Sequence, residues 1–539
     1  DDRAAQMAGF ALMMKARADD RRLLDSPIKL NVLSLQESKG LELDEFDSHL
    51  KPFGISRALL ASLIDTFAHA KTFGSLIQIP EALDHGLVTL ADGLGKAIQS
   101  GDVFAQAAAH DLWPLVGQAT VLAMKFDAVV ANPPYMGSKG MCAELQLFVK
   151  RNYLIGKADL YACFIVRTFR FLKSVGCSGL VTLQNWMFNS SYEELRGSVL
   201  DNGMLESLVQ IGFNSFPTLN SKVALASAFC FINGRNPRFA GVYIDCNNAP
   251  ASADKEAVFH KKKASSEFFI RDSSSFRQIP GAPLSYWADE ELRQAFVVGR
   301  PIGQLARARQ GLSTSNNDVF VRCWHEVSII KIDLTCRTTH DTAISTKKWF
   351  PYNKGGLVRR WYGNNEYVIN WKNDGEEIRN LAPKSVIRNP EWYFQPSITW
   401  SDITIDSAFR LQDAGFVFAN SAHSAFCENT EDRLKILGVL NSTIAEKFVG
   451  VLSQSLHFDV GYFNILPFPT KQPVLNAIKI VEELVALARS DWDDYEVSWG
   501  FQRHSLLEKH SNNLFHSFDE RSKTCDSRAR RCFELEQEN

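Results

Sequence analysis

The sequence predicts an α/β sheet followed by at least one further globular region. Three observations point there. Between Phe126 and Ile232, short apolar runs alternate with helical patterns, the signature of strands threaded through helices. Residues 40–118 repeat apolar side chains at helical spacing, with no convincing strand among them. From about residue 286 to 470 the chain turns rich in Trp, Tyr, Asn and Gly. A length of 539 residues, 45% hydrophobic and 22% charged, suits three to four domains with more than one core. It excludes a disordered chain, a collagen and a disulfide scaffold. Lys plus Arg is 59 against 61 Asp plus Glu, a net charge of -2. That excludes nucleic-acid binding by bulk charge, but not through a local basic groove.

The elements follow in order. Residues 3–24 read as an amphipathic helix, with Ala4, Met7, Ala8, Ala11 and Leu12 on one face. Ser26-Pro27 breaks it, and Leu30–Leu35 reads as a short strand. In the helical stretch that follows, Leu59, Leu60, Leu63, Ile64 and Phe67 mark one apolar face. Phe126–Ala131 reads as a short buried strand leading directly into Asn132-Pro133-Pro134-Tyr135. Next come a helix over Leu160–Leu172, a strand over Ser178–Gln184 and a helix near Tyr192–Leu200. Strands over Leu205–Ile211 and Lys222–Ile232 are separated only by residues 212–221, too few for a crossover helix, so this pair is expected to be antiparallel. Residues 234–285 read as a polar linker with short strands, 286–470 as an α+β region, and 471–539 as a helical, increasingly charged segment. Ten cysteines without a CxxC pair fit reduced thiols and a cytoplasmic protein. No apolar run approaches the roughly 18 residues of a membrane span, so no membrane partner is expected.

Asn132-Pro133-Pro134-Tyr135 carries the strongest chemical signal. It stands at the carboxyl end of a strand, the edge where open α/β sheets bind ligands. Each proline fixes φ and stiffens the corner. The Asn132 side-chain carbonyl and the Pro133 backbone carbonyl can both accept from one exocyclic amino group, whose two hydrogens need two acceptors. Tyr135 offers a flat face on which a base can stack, worth about 1–3 kcal/mol. The alternative is a plain proline kink ending a strand.

This constellation resembles the superfamily that methylates amino and amide nitrogens with S-adenosylmethionine. The longer context Lys125–Gly137 with Lys139-Gly140-Met141 resembles the adenine-specific DNA methyltransferases of BREX phage-defence systems, the PglX type. Further stretches carry the same resemblance: Lys157-Ala158-Asp159-Leu160-Tyr161, Gln184–Phe188 with Ser191-Tyr192-Glu193, Trp349–Gly356, Trp361–Tyr367 and Phe463–Pro467. It implies a Rossmann-like methyltransferase sheet over 1–38 and 119–233, with a helical insertion at 39–118. A target-recognition domain over 286–470 would follow. It implies S-adenosylmethionine as cofactor, no metal, and duplex DNA as partner, with other proteins of the defence system possible. Asn132 and Pro133 would hold the target amino group, Pro134 would shape the loop and Tyr135 would stack. Phe216 matches a second aromatic on the flipped adenine. Phe164 matches a wall of the cofactor's adenine pocket, and Gln36 and Glu37 lie where that adenine is recognised. In such enzymes a glycine-rich cofactor loop follows the first strand, and an acidic ribose ligand ends the second. Both would precede residue 3, and the family continues beyond Asn539. The 539 residues are therefore expected to be the middle of a longer protein, lacking the first two strands and transferring little methyl alone. Gly93-Leu94-Gly95 follows no strand and is expected to be a loop between helices.

From Lys347 to Lys372 there are six basic residues, one acidic residue and seven aromatics. Here Lys and Arg can neutralise phosphates, and Asn and Gln can read adenine edges; a tryptophan-rich core is the rival reading. Asp25 with Glu37-Ser38-Lys39 imitates the spacing of restriction nucleases, yet falls between cofactor motifs. Two further readings stay open: a fused restriction-methylation enzyme with its nuclease elsewhere, and a non-catalytic DNA-recognition subunit.

Overall fold

Helix-forming runs begin where short polar side chains can cap them. Ser56 accepts the Leu59 N–H at 3.4 Å, and Asp102 accepts those of Phe104 and Ala105 at 2.9 and 3.2 Å. The computed structural model describes residues 2–25, 30–215, 224–250, 252–402, 408–452, 457–469, 476–507 and 513–539. The chain forms two units. The first comprises Asp1–Trp186 and Ser191–Ser273, the second Met187–Ser190 and Ser274–Asn539.

In the first unit, helices α1 (Asp2–Asp19), α2 (Leu43–Leu50), α3 (Arg57–Phe67), α4 (Ala70–Phe73), α5 (Glu81–Ile98) and α6 (Val103–Ala123) come first. Leu60, Leu63 and Phe67 of α3 are buried with Leu90 and Leu94 of α5 and Leu112 of α6, as the spacing predicts. Gly93-Leu94-Gly95 lies inside α5 rather than in a loop. A Cβ on Gly93 would stand 2.5 Å from Ile55 and 3.0 Å from the Phe53 carbonyl, so the glycine lets the preceding chain close on the helix. Helix α1 forms, but Met7 and Leu12 of its expected apolar face are exposed.

The sheet contains β1 (Phe126–Ala131), then after α7 (Ala143–Asn152) and α8 (Leu160–Phe171) β2 (Leu172–Leu183). After α9 (Glu193–Asn202) come β3 (Gly203–Gly212), β4 (Ala226–Asn233) and β5 (Ala240–Asp245), then α10 (Lys255–Ala264) and β6 (Phe269–Asp272). Its order is β1-β2-β4-β3-β5-β6. β1 runs parallel to β2, while β3 and β4 are antiparallel as expected. β5 and β6 extend the sheet from within the stretch read as a linker.

Two strand expectations need correction. Among the described residues Leu30–Leu35 is not a strand. The backbone just beyond it is satisfied by a side chain instead: Gln36 N donates to Gln118 Oε1 at 2.8 Å, and Gln118 Nε2 donates to the Gln36 carbonyl at 2.9 Å. β1, expected to be buried, is an edge strand with one neighbour among the described residues, and Val130 is 84% exposed.

The second unit holds two four-stranded sheets, one built on Trp349–Asn353 and Tyr367–Asn370, the other on Ser397–Ser401 and Ala422–Cys427. Helices Asn476–Asp493 and Leu514–Glu538 follow. Asp333 of this unit is partly buried, which pushes its carboxyl up. Donors from Ser345 Oγ at 2.5 Å, Thr335 Oγ1 at 2.7 Å and Thr335 N at 2.9 Å outweigh this and hold it at about 2, below the ordinary 3.8. A carboxyl lowered by folding adds stability above its ordinary value and loses it as pH falls towards the folded one. Asp333→Asn is expected to flatten the loss of melting temperature between about pH 4 and 2, read by thermal unfolding at stepped pH.

Candidate active site

The corner at the end of β1 is built from both sides. Asn132 is exposed, Pro133 buried, Pro134 exposed and Tyr135 half-buried. The Tyr135 hydroxyl lies 3.0 Å from Asn132 Oδ1, to which it donates, and 3.4 Å from the Val181 carbonyl on β2. A carbonyl oxygen has two lone pairs, so Asn132 Oδ1 keeps one for a second donor. Burial raises the Tyr135 hydroxyl above its ordinary value, so it stays protonated and donating at neutral pH. The Tyr135 ring packs edge-on against Tyr161 of α8 at 6.1 Å, and Tyr161 packs in turn against Tyr192 at 5.9 Å.

The exit from the corner is fastened to the start of α8. Met136 N donates to Asp159 Oδ1 at 2.9 Å, and Leu160 N donates to the Met136 carbonyl at 3.0 Å. Ser138 N donates to the Ala158 carbonyl at 3.0 Å. The same Asp159 oxygen caps α8 by accepting Tyr161 N at 3.3 Å. Burial pushes the Asp159 carboxyl up, opposed by these backbone donors. Asp159, which motif reading did not single out, fastens the candidate site. Its signal was local: an aspartate directly before a helical apolar pattern is a cap, and this cap faces the Asn-Pro-Pro-Tyr turn. Gln184 and Gln210, at the carboxyl ends of β2 and β3, were missed too. They are buried and joined by a 3.1 Å hydrogen bond from Gln210 Nε2 to Gln184 Oε1.

The other predicted residues are placed differently. Phe164 lies on α8, three residues beyond Tyr161, half-buried against a cluster with Leu145, Val149 and Leu160. Gln36 is committed on both backbone groups to Gln118, and its Nε2 donates to Asp2 Oδ1 at 2.7 Å. Glu37 accepts the Lys71 N–H of α4 at 3.2 Å through one oxygen and keeps the other. Phe216 lies outside the described residues. A hollow of about 720 Å³ lies along β1, lined by α1, Val32–Leu35 and Phe171; no predicted site residue lines it. Of the nuclease-like set, Ser38 is buried and donates to the Ile64 carbonyl at 2.5 Å.

In the second unit the asparagines expected to read adenine edges are structural. Asn353, Asn364, Asn365 and Asn370 are buried. Asn353 donates to Thr399 at 2.6 Å, Asn370 to Glu377 at 2.9 Å, and Asn365 accepts from Gln412 at 3.2 Å. Six of the seven aromatics there, all but Tyr367, are buried as well, so the core reading holds for them.

Residues 1–216 match the model of the Eco57I restriction-modification methylase family. The chain is similar along nearly its whole length to adenine-specific methyltransferases of the BrxX and PglX kind. It is 34% identical over 545 residues to the adenine-specific methyltransferase BrxX of Escherichia coli O9:H4 (strain HS), covering 96% of this chain and 44% of that protein. It is 31% identical over 547 residues to the adenine-specific methyltransferase PglX of Lacticaseibacillus casei (strain Zhang), covering 98% of this chain and 45% of that protein. The chain thus spans a little under half the length of these curated relatives. Among solved structures, the type IIL restriction-modification enzyme MmeI in complex with DNA superposes with a TM-score of 0.46 at 11% identity, covering 76% of this chain and 57% of that one. The similarity to the BrxX and PglX proteins covers both units. No described helix is long and apolar enough to cross a membrane.

Proposed function

We propose that the chain carries the catalytic corner of a DNA methyltransferase that modifies N6 of adenine in duplex DNA, as host modification in a phage-defence system of the BREX type. The observation that supports this most is the exposed Asn132 amide, held at the carboxyl end of β1 by the Tyr135 hydroxyl. A target adenine must leave the helix to reach it, at a cost of a few kcal/mol. Asn132 Oδ1 and the Pro133 carbonyl would accept the two amino hydrogens, and the Tyr135 ring would stack on the base. The resemblance would add Phe216 as a second aromatic on the base. Both acceptors leave the nitrogen's electron pair directed away from the protein, towards an electrophile. When bound, S-adenosylmethionine would supply that electrophile as the methyl of its sulfonium, whose sulfur would keep the electron pair of the bond that breaks. The amino group then gives its surplus proton to water, so the corner needs no general base. Phe164, a half-buried ring on the helix that supports Tyr135, would form a wall of the cofactor pocket, as the resemblance implies. Of Gln36 and Glu37, Glu37 fits better, because one of its oxygens remains to accept from the cofactor's adenine.

The test is sequencing of DNA from cells expressing the protein, read for N6-methyladenine at a recurring site. Competition by duplex, single-stranded DNA and peptide would fix the substrate class. Sequence-specific binding without any modification would favour the recognition-subunit reading instead. Within the proposed site, Tyr135→Phe keeps the ring and loses the bond to Asn132, and is expected to lower methylation by about three- to tenfold. Tyr135→Ala removes the stacking face as well and should cost about 10–100-fold. The methylated fraction at matched expression reads both.

A further inference from the structure

In the second unit, the segment Lys354–Arg360 leaves the strand Trp349–Asn353 as a loop fastened at its foot. Ser421 Oγ donates to the Lys354 carbonyl at 2.8 Å, and Gly355 N to Asn353 Oδ1 at 3.3 Å. Ser401 Oγ donates to the Gly356 carbonyl at 3.1 Å, and the buried Asn364 donates to the Leu357 carbonyl at 2.8 Å. Gly355 and Gly356 take φ of 87° and 142°, and a Cβ on Gly356 would sit 2.9 Å from Asn364 Nδ2. The backbone is thus fixed, and it places two apolar side chains in water: Leu357 is 82% exposed and Val358 50%. Three cations flank them in the chain, Arg359 and Arg360 each held by a carboxylate. Lys354 Nζ lies 4.7 Å from the Tyr367 ring, and Arg359 lies over Trp492 at 4.9 Å and 3.4 Å from Asp491. Arg360 pairs with Glu446.

A loose loop would fold Leu357 and Val358 against the protein. A loop pinned by four side-chain hydrogen bonds cannot, so the exposure is built in. An apolar tip flanked by cations suits a partner with an anionic surface and an apolar interior reachable through it. The base stack of a duplex, entered between phosphates, has that form. An anionic bilayer offers the same two chemistries, but two side chains bury too little apolar surface for stable attachment.

We infer that Leu357 and Val358 form a wedge that inserts between base pairs of duplex DNA, with Lys354, Arg359 and Arg360 facing the flanking phosphates. The inference rests on the proposed action on duplex DNA and adds how the second unit deforms it. The test compares the 539-residue chain with its Leu357→Ser/Val358→Ser double variant. Binding is measured to genomic duplex fragments, to the same fragments carrying abasic positions, and to vesicles of anionic phospholipid. Both positions are exposed, so an unchanged melting temperature is expected. Affinity for intact duplex should fall about tenfold. On abasic duplex, where stacking is already lost, it should fall threefold or less. The salt dependence should keep its slope, because no phosphate contact is removed. Equal affinity of wild type and variant for intact duplex, an equal loss on both duplexes, or a changed slope would overturn the wedge. So would vesicle binding by the wild type that the variant loses. If the variant binds intact duplex like the wild type, the wedge falls and the methyltransferase reading, which is tested by adenine modification in cells, stands. If the wild type binds no duplex at all, both fall.

Discussion

Asn132→Ala is expected to lower adenine methylation in cells by about 10²–10³-fold or more, while duplex binding by the purified chain changes less than about twofold. The reason is where the interaction is made. Asn132 Oδ1 would meet the amino group only after the base is extruded, so it adds little to the grip on intact duplex. In the transition state the amino hydrogens become more acidic as the nitrogen takes on positive charge, and the hydrogen bond to Oδ1 strengthens. An interaction stronger in the transition state than in the ground state appears in rate rather than binding. The substitution also removes the 3.0 Å acceptor of the Tyr135 hydroxyl, which keeps the Val181 carbonyl at 3.4 Å. Asn132→Asp is a useful companion. It keeps an acceptor for the Tyr135 hydroxyl but adds a charge, which would attract the amino group and let it release its proton early. Methylation that survives Asn132→Ala within about threefold would remove this corner from the chemistry.

The turn at the end of β1 was legible because its geometry is local. Four consecutive residues fix their own backbone, and the strand before them is marked by its apolar run. The antiparallel β3–β4 pair was legible for a similar reason, since a ten-residue gap cannot hold a crossover helix. What depends on distant partners was not legible. Leu30–Leu35 has the composition of a strand, but a strand needs a neighbour, and here the Gln118 amide takes the adjoining backbone. Gly93-Leu94-Gly95 reads as a loop until Ile55 is seen pressing on it. The asparagines of Asn353 to Asn370 have the right side chains for reading bases, yet composition cannot say which way they face, and they face the core. Phe164 and Glu37 were placed by resemblance; nothing in their immediate sequence distinguishes a pocket wall from an ordinary packed ring or a helix-end acceptor.

Asp159→Ala is expected to lower methylation by about 10–100-fold although Asp159 would touch neither base nor cofactor. One carboxylate oxygen serves two backbone amides on opposite sides of the site: Met136, just past the Asn-Pro-Pro-Tyr turn, and Tyr161, in the first turn of α8. Losing a cap alone costs about 1 kcal/mol of helix stability. Here the loss also removes one of the three links between the turn and the start of α8, leaving only the two backbone bonds from Leu160 N and Ser138 N. It so loosens the turn against the helix that carries Tyr161, the ring Tyr135 leans on, and Phe164 beyond it. A shift of about 1 Å in Asn132 suffices for a large loss of rate. Asparagine keeps an acceptor oxygen of the same reach, so Asp159→Asn should recover most of the activity, whereas a residue needed for its charge would not be rescued. Because burial already opposes ionisation of this carboxyl, the neutral amide should be tolerated without loss of melting temperature. Amide exchange separates positioning from general destabilisation. In Asp159→Ala the Met136 and Tyr161 amides should exchange at least about tenfold faster, while the buried strand amides of β2 and β4 stay protected. Uniformly faster exchange across the sheet would mean that Asp159 serves the fold, not the site.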